Sequence, residues 1–310
     1  MHPFYTIVFF FFFCFILCFF HCEHAFAEKY NGDLAFKCAI LSSVTYTSPT
    51  DIQNWKFPNP ICSDFSSDFR VHKVFISPSA ALAFVGVDNN ARQVVVAFKG
   101  TNSTDDLITD IKSVMYFTDE CVVGDLSLGL IHHGFCNYYR DLVDMGLPEV
   151  TAGLLSLYPD YQVVVTGHSL GGAAAALGAL DLAWRYGVRP VLYTFGQPRT
   201  GDATFSKELT KACSSLWRIV HRSDMVVHLP LCCHSLTMGC REDTTCPYHS
   251  TNQVWYNNDM MDKGDYKICG GSGENKTCEN TFDLSVNDHL YYFNIRIGQH
   301  CKKLPGSDNE

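Results

Sequence analysis

The chain has 310 residues, 47% of them hydrophobic and only 18% charged, enough apolar content for a sizeable core and too much for a disordered protein. Its formal net charge of −9 repels phosphate backbones, which makes a nucleic-acid partner a poor fit. A polytopic membrane protein is excluded too, since the long apolar run is confined to the N-terminus.

That run, Ile7 to Phe20, carries no charge and is followed by Ala25-Phe26-Ala27. A short apolar stretch before an A-x-A site predicts a cleaved secretory signal over residues 1–27, with the remaining domain over 28–310 and an extracellular location. No Lys or Arg precedes the run, so a retained anchor over Phe4 to Phe20 is the rival reading, at the ~17-residue lower limit for spanning. If the signal is cleaved, stable membrane insertion is not expected.

Three of the 15 cysteines lie in that segment, leaving 15 − 3 = 12, an even number that favours disulfides in an oxidising compartment. A zinc site from Cys232, Cys233, Cys240, Cys246 and His249 is the competing idea, weakened by the lack of regular C-x₂-C spacing. Sequons at Asn102 and Asn275 suit the same compartment, with Asn102 expected to be unused or to carry its glycan outward.

Beyond the signal, Ala81 to Val87 and Gln93 to Phe98 read as strands separated by Asp88-Asn89-Asn90. Tyr138 to Leu157 places Leu142, Val143, Leu147, Val150 and Leu154 at helical spacing. Tyr161 to Thr166 is an apolar run suited to the middle of a sheet covered on both faces. The Ala/Leu-rich helix Ala173 to Tyr186 follows, then strands Val191 to Phe195 and Trp217 to His221. This alternation predicts one α/β domain with a mostly parallel sheet and helices on both faces. Leu231 to Cys278, rich in Cys, Gly, Asn and Asp, reads as disulfide-tied loops.

Gly167-His168-Ser169-Leu170-Gly171 is a G-x-S-x-G sequence between a buried strand and a helix. Small residues on both sides allow the sharp turn that would expose the Ser169 hydroxyl at a helix N-terminus, as a nucleophile needs. His168 should point away from it and be structural. A serine hydroxyl needs an imidazole to take its proton and a carboxylate to orient that imidazole. Asp224 sits where the strand Trp217–His221 ends, the expected place for the acid, whereas Asp202 reads as the N-cap of a helix near Ala203. Among the histidines, His72, His132, His133 and His168 come too early. His221 lies in a strand, His228 and His234 follow Asp224 too closely, and His300 is nearly terminal. Chain order leaves His249 and His289 both open as the base.

At this point the chain resembles the class 3, fungal-type lipase family of the α/β-hydrolase superfamily. The resemblance rests on Val94-Val95-Val96-Ala97-Phe98-Lys99-Gly100-Thr101 (where Arg is more usual at Lys99), Ile131-His132-His133-Gly134-Phe135, the Ser169 turn, Phe195-Gly196-Gln197-Pro198-Arg199-Thr200-Gly201, Ser223-Asp224-Met225-Val226 and Asp288-His289-Leu290. It implies a triad of Ser169, Asp224 and His289, and an oxyanion hole from the backbone N–H groups of Thr101 and Leu170, with the Thr101 hydroxyl as a third donor. One such donor is worth ~3–4 kcal/mol in the transition state. It also implies a lid near Ser103 to Asp110, whose only apolar members are Leu107 and Ile108, pointing to a weak interfacial switch or a substrate more polar than triacylglycerol. By the same resemblance Cys38 pairs with Cys301, and Cys269 with Cys278.

The leading expectation is a secreted hydrolase of lipid esters, triacylglycerol lipase-like, working through an acyl-enzyme on a lipid ester substrate at a lipid–water interface. Phospholipase A1 or a carbohydrate-aryl (feruloyl-type) esterase would use the same machinery. A catalytically silent lipid-binding module is the alternative from another class, and the three filled triad positions argue against it. No ligand set for a metal stands out, so neither metal nor cofactor is expected. The sequence is silent on oligomeric state.

Overall fold

The structure, a computed structural model, describes residues 29–101, 117–118, 128–233, 240–271, 273–278 and 283–302. The signal segment, the Asn102 sequon and the lid segment therefore lie outside the described residues.

Eight strands form one sheet in chain order: β1 (Phe69–Ile76), β2 (Leu82–Asp88), β3 (Gln93–Phe98), β4 (Gln162–His168), β5 (Val191–Phe195), β6 (Ser215–His221), β7 (Gln253–Tyr256) and β8 (Lys267–Cys269). The first three are antiparallel, β3 through β7 run parallel, and β8 returns antiparallel. The central strands β3 and β4 are buried from end to end save Gln162, because both faces are covered, as their apolar runs require. Along β3, Val94, Val96 and Phe98 enter one core and Val95 and Ala97 the other. The first core is closed by α2 (His133–Asp144), α3 (Leu147–Leu157), α4 (Leu170–Tyr186) and α5 (Ala203–Ala212), the second by α1 (Gly32–Val44) and residues near the C-terminus. This is the α/β-hydrolase arrangement, and its parallel strands end together at Phe98, His168, Phe195 and His221. Their shared carboxyl edge is where crossover folds place their sites.

Three expectations need correction. The helix predicted over Tyr138 to Leu157 is two helices, α2 and α3. Gly146 takes φ 82° between them, and Pro148, lacking an N–H, sits in the first turn of α3. The apolar spacing continues across the break because both helices face the same core. The segment after Leu231 is bridged as expected, but it also supplies β7 and β8, which extend the sheet.

The third correction concerns Cys301, which pairs with Cys62 and not with Cys38. Cys38 is a free thiol on the inner face of α1, fully buried in the second core, with its carbonyl accepting from Thr166 Oγ1. Burial pushes its thiol up to about 12. Cys62 lies in the short helix Pro60–Ser63, beside the chain end, where Asn59 Nδ2 donates to the His300 carbonyl. The Cys269–Cys278 bridge is formed as expected. Closing a span of 239 residues removes much unfolded-chain entropy. Replacing Cys62 and Cys301 together by serine is expected to lower unfolding stability by about 3–5 kcal/mol, and a urea-denaturation difference below about 1 kcal/mol would contradict this.

Candidate active site

Ser169 joins β4 to α4 with φ 61° and ψ −129°, a conformation that non-glycine residues rarely hold. Backbone bonds over-determine it. Its N–H donates to the Phe195 carbonyl at 2.9 Å, and its own carbonyl accepts from Gly172 N–H at 2.9 Å. The flanking glycines are required by close approach: a Cβ at 167 would lie 2.1 Å from the Gly171 carbonyl oxygen, and one at 171 would lie 2.3 Å from that of Phe98. The G-x-S-x-G spacing is thus the print of a strand and helix pressed together.

Asp224 follows β6 and is fully buried, as is His289 in α6 (Val286–Leu290). Two loops are zipped together to bring them into contact. Ser285 N–H donates to the Ser223 carbonyl, Met225 N–H to the Ser285 carbonyl, and the Ser285 hydroxyl caps α6 by accepting from Asp288 N–H. His289 Nδ1 lies 3.0 and 2.9 Å from the two Asp224 carboxylate oxygens. A carboxylate only accepts, so Nδ1 carries the proton and Nε2 presents a lone pair. That Nε2 has no hydrogen-bond partner among the described residues. Asp224 also accepts from Val226 N–H and the Tyr292 hydroxyl, both at 2.8 Å. Burial opposes ionisation of this carboxyl, but electrostatic attraction to the His289 imidazole and these hydrogen bonds outweigh it and hold it below the usual carboxylate range. The pair packs against bare backbone at Gly196, φ 55°, where a Cβ would fall 2.5 Å from His289 Nδ1.

His168 is structural, in a more specific sense than a turn residue. Its Nε2–H donates to the His289 carbonyl at 2.8 Å, its Nδ1 accepts from the Tyr46 hydroxyl at 3.0 Å, and the two imidazole rings lie 4.4 Å apart. Burial, followed by electrostatic repulsion between the two adjacent imidazoles, pushes its pKa down to about 3, so it remains a neutral hydrogen-bonding strut. The rival candidates are placed elsewhere. His249 Nε2–H donates to the Val227 carbonyl, and burial together with Arg218 and Arg199 holds its pKa well below the usual imidazole value. Asp202 caps α5 by accepting from Phe205 N–H, as expected. The sulfurs of the zinc alternative are consumed in the bridges Cys232–Cys240 and Cys233–Cys246.

Ser169 opens onto a cavity of about 320 Å³, lined also by Thr101, His168 and Tyr46. Leu170 begins α4, so its N–H belongs to the first turn, which has no intrahelical acceptor. Three participants escaped the sequence reading: Tyr292 on the acid, Tyr46 on His168, and Gly196 as the backing of the acid–base pair. Only Gly196, within Phe195-Gly196-Gln197-Pro198, carried a signal.

The class 3 lipase family model matches residues 95–234, a stretch that includes both Ser169 and Asp224. The lipase of Rhizopus oryzae is 31% identical over 247 residues, which cover 76% of this chain and 57% of that protein. A secreted mono- and diacylglycerol lipase of Fusarium solani is 28% identical over 239 residues, covering 75% and 66%. This chain thus spans little more than half the length of the Rhizopus relatives it matches. The solved structure of lipase II from Rhizopus niveus superposes with a TM-score of 0.72 at 29% identity, over 86% of this chain and 96% of that one. With the family match running through the strained serine turn and the fold match covering 86% of this chain, the chain belongs to the class 3 lipase family of the α/β-hydrolase superfamily.

Proposed function

We propose that this chain is a secreted carboxylic-ester hydrolase acting on lipid esters, with Ser169 as nucleophile, His289 as base and Asp224 as its orienting acid. The observation that supports the reading is the buried Asp224–His289 pair, whose Nε2 has no hydrogen-bond partner among the described residues and whose imidazole ring lies 4.4 Å from that of His168, the residue before the strained Ser169. Attack of Ser169 Oγ on the acyl carbon transfers the hydroxyl proton to His289 Nε2. Collapse of the tetrahedral intermediate breaks the ester bond and returns that proton to the leaving alcohol, leaving the acyl group on Ser169. Water then attacks the acyl-enzyme, giving one proton to His289. The carboxylic acid departs as Ser169 Oγ regains that proton. The N–H groups of Thr101 and Leu170 would receive the developing oxyanion. Names of relatives such as mono- and diacylglycerol lipase support a lipid ester. The relative named as secreted and the disulfides support export through the residue 1–27 signal.

The direct test is hydrolysis of p-nitrophenyl butyrate and of emulsified triacylglycerol, together with peptide mapping after exposure to a diethyl phosphoryl ester such as paraoxon. Turnover of at least one ester and a phosphoryl adduct on Ser169 are expected. A folded protein that turns over no ester and takes no adduct would favour the silent lipid-binding module.

A further inference from the structure

The cavity at Ser169 has a second wall of different character. After α6 the chain forms the short strand Ile295–Arg296 and a turn, and Arg296, Gln299 and Lys302 line the same cavity as Ser169, Tyr46 and Thr101. Lys99, two residues before Thr101, lies within electrostatic reach of Lys302. Burial, with repulsion from Lys302, holds Lys99 below the usual lysine range, and burial does the same to Lys302. Among the described residues, no carboxylate pairs with Lys99, Arg296 or Lys302. Arg296 donates to the Gln299 side-chain oxygen and lies over the Tyr291 ring.

Elsewhere several partly buried cations are ion-paired: Lys37 with Asp88, Arg185 with Asp181, Arg199 with Glu274. Among the described residues, two cations without a carboxylate partner therefore line one cavity in a chain of net charge −9, a local reversal of sign. Screening over a Debye length of about 8–10 Å lets that local field govern what the cavity receives. A neutral triacylglycerol offers these groups nothing. A fatty-acid carboxylate carries its charge on the very carbon that Ser169 would attack, not across the cavity. A glycerophospholipid carries its phosphate a few bonds from each acyl ester, so an ester at Ser169 leaves the anion free to reach these cations.

We propose that Arg296 and Lys302 bind the phosphate of a glycerophospholipid whose acyl ester is cleaved at Ser169. This rests on the ester-hydrolase reading above and names its substrate class.

The test compares turnover of monomeric dihexanoylphosphatidylglycerol with that of p-nitrophenyl butyrate at fixed ionic strength, in wild type, Arg296→Gln, Lys302→Glu and Lys302→Arg. The ratio of the two kcat/KM values is expected to fall about tenfold in Arg296→Gln and in Lys302→Glu, mainly through KM, and to recover in Lys302→Arg. Inorganic phosphate should compete in wild type and lose that effect in Lys302→Glu. An unchanged ratio in the charge-removing variants overturns the proposal. If inorganic phosphate competes while the ratio stays unchanged, the wall serves free phosphate and the lipid assignment is overturned. Should the wild type hydrolyse neither ester, the hydrolase reading fails by itself. Calorimetric binding of dihexanoylphosphatidylglycerol to wild type and Lys302→Glu then decides the wall, and equal affinity overturns it.

Discussion

Replacing Ser169 by alanine is expected to lower kcat on p-nitrophenyl butyrate by about 10⁵–10⁶-fold, with a melting temperature close to wild type. The structural half of this prediction follows from the turn. Alanine keeps the Cβ that makes φ 61° costly, and both backbone bonds, to Phe195 and from Gly172, survive the change. Only Oγ is lost. A Ser169→Gly variant separates chemistry from strain: it should be as inactive as alanine yet more stable by about 1–3 kcal/mol, the cost of a side chain held at such a backbone conformation. Residual alanine activity within about tenfold of wild type would show that another group attacks the ester.

The second large effect concerns Asp224→Asn, for which a loss of about 10⁴-fold in kcat is expected with the fold retained. The carboxylate accepts on both oxygens, one from Val226 N–H and the other from the Tyr292 hydroxyl, with His289 Nδ1 reaching both. Asparagine can keep the Val226 bond through its single carbonyl oxygen. Its amide then faces His289 as a donor, driving the imidazole proton from Nδ1 to Nε2. An imidazole protonated at Nε2 cannot accept from Ser169. The decisive reading is a pH–rate profile beside circular dichroism: a folded variant that keeps more than about a tenth of wild-type kcat would remove Asp224 from the mechanism.

How much of this was legible in the sequence depended on how local the physics is. The Ser169 turn was readable because its glycines answer clashes with neighbours only a few residues away or on the adjoining strand. Asp224 was readable from the end of a strand. His289 was not separable from His249 by order, since its contact with Asp224 spans 65 residues and depends on two loops zipped through Ser285; the family resemblance alone chose between them. Cys38 misled for a related reason. A thiol on a buried helix face and a thiol awaiting a partner look alike in sequence, and only the packing of α1 tells them apart. The α2–α3 break hid behind continuous apolar spacing. The cationic wall was invisible for a different reason, because Lys302 lies 302 − 169 = 133 positions from Ser169 and the whole-chain charge has the opposite sign.

The bridge between Cys62 and Cys301 makes the sheet, the acid, the base and the serine turn part of one closed covalent ring. A single peptide-bond cut anywhere inside that ring would therefore release nothing. The two pieces would migrate as one species on a non-reducing gel and part only when thiol is added. Held at the high effective concentration of a tether, they would keep every opportunity to stay associated through the shared core. Nicked protein from a protease-rich surrounding would then still carry Ser169, Asp224 and His289 in one molecule, and loss of activity after cleavage would track reduction of this bond rather than the cut itself.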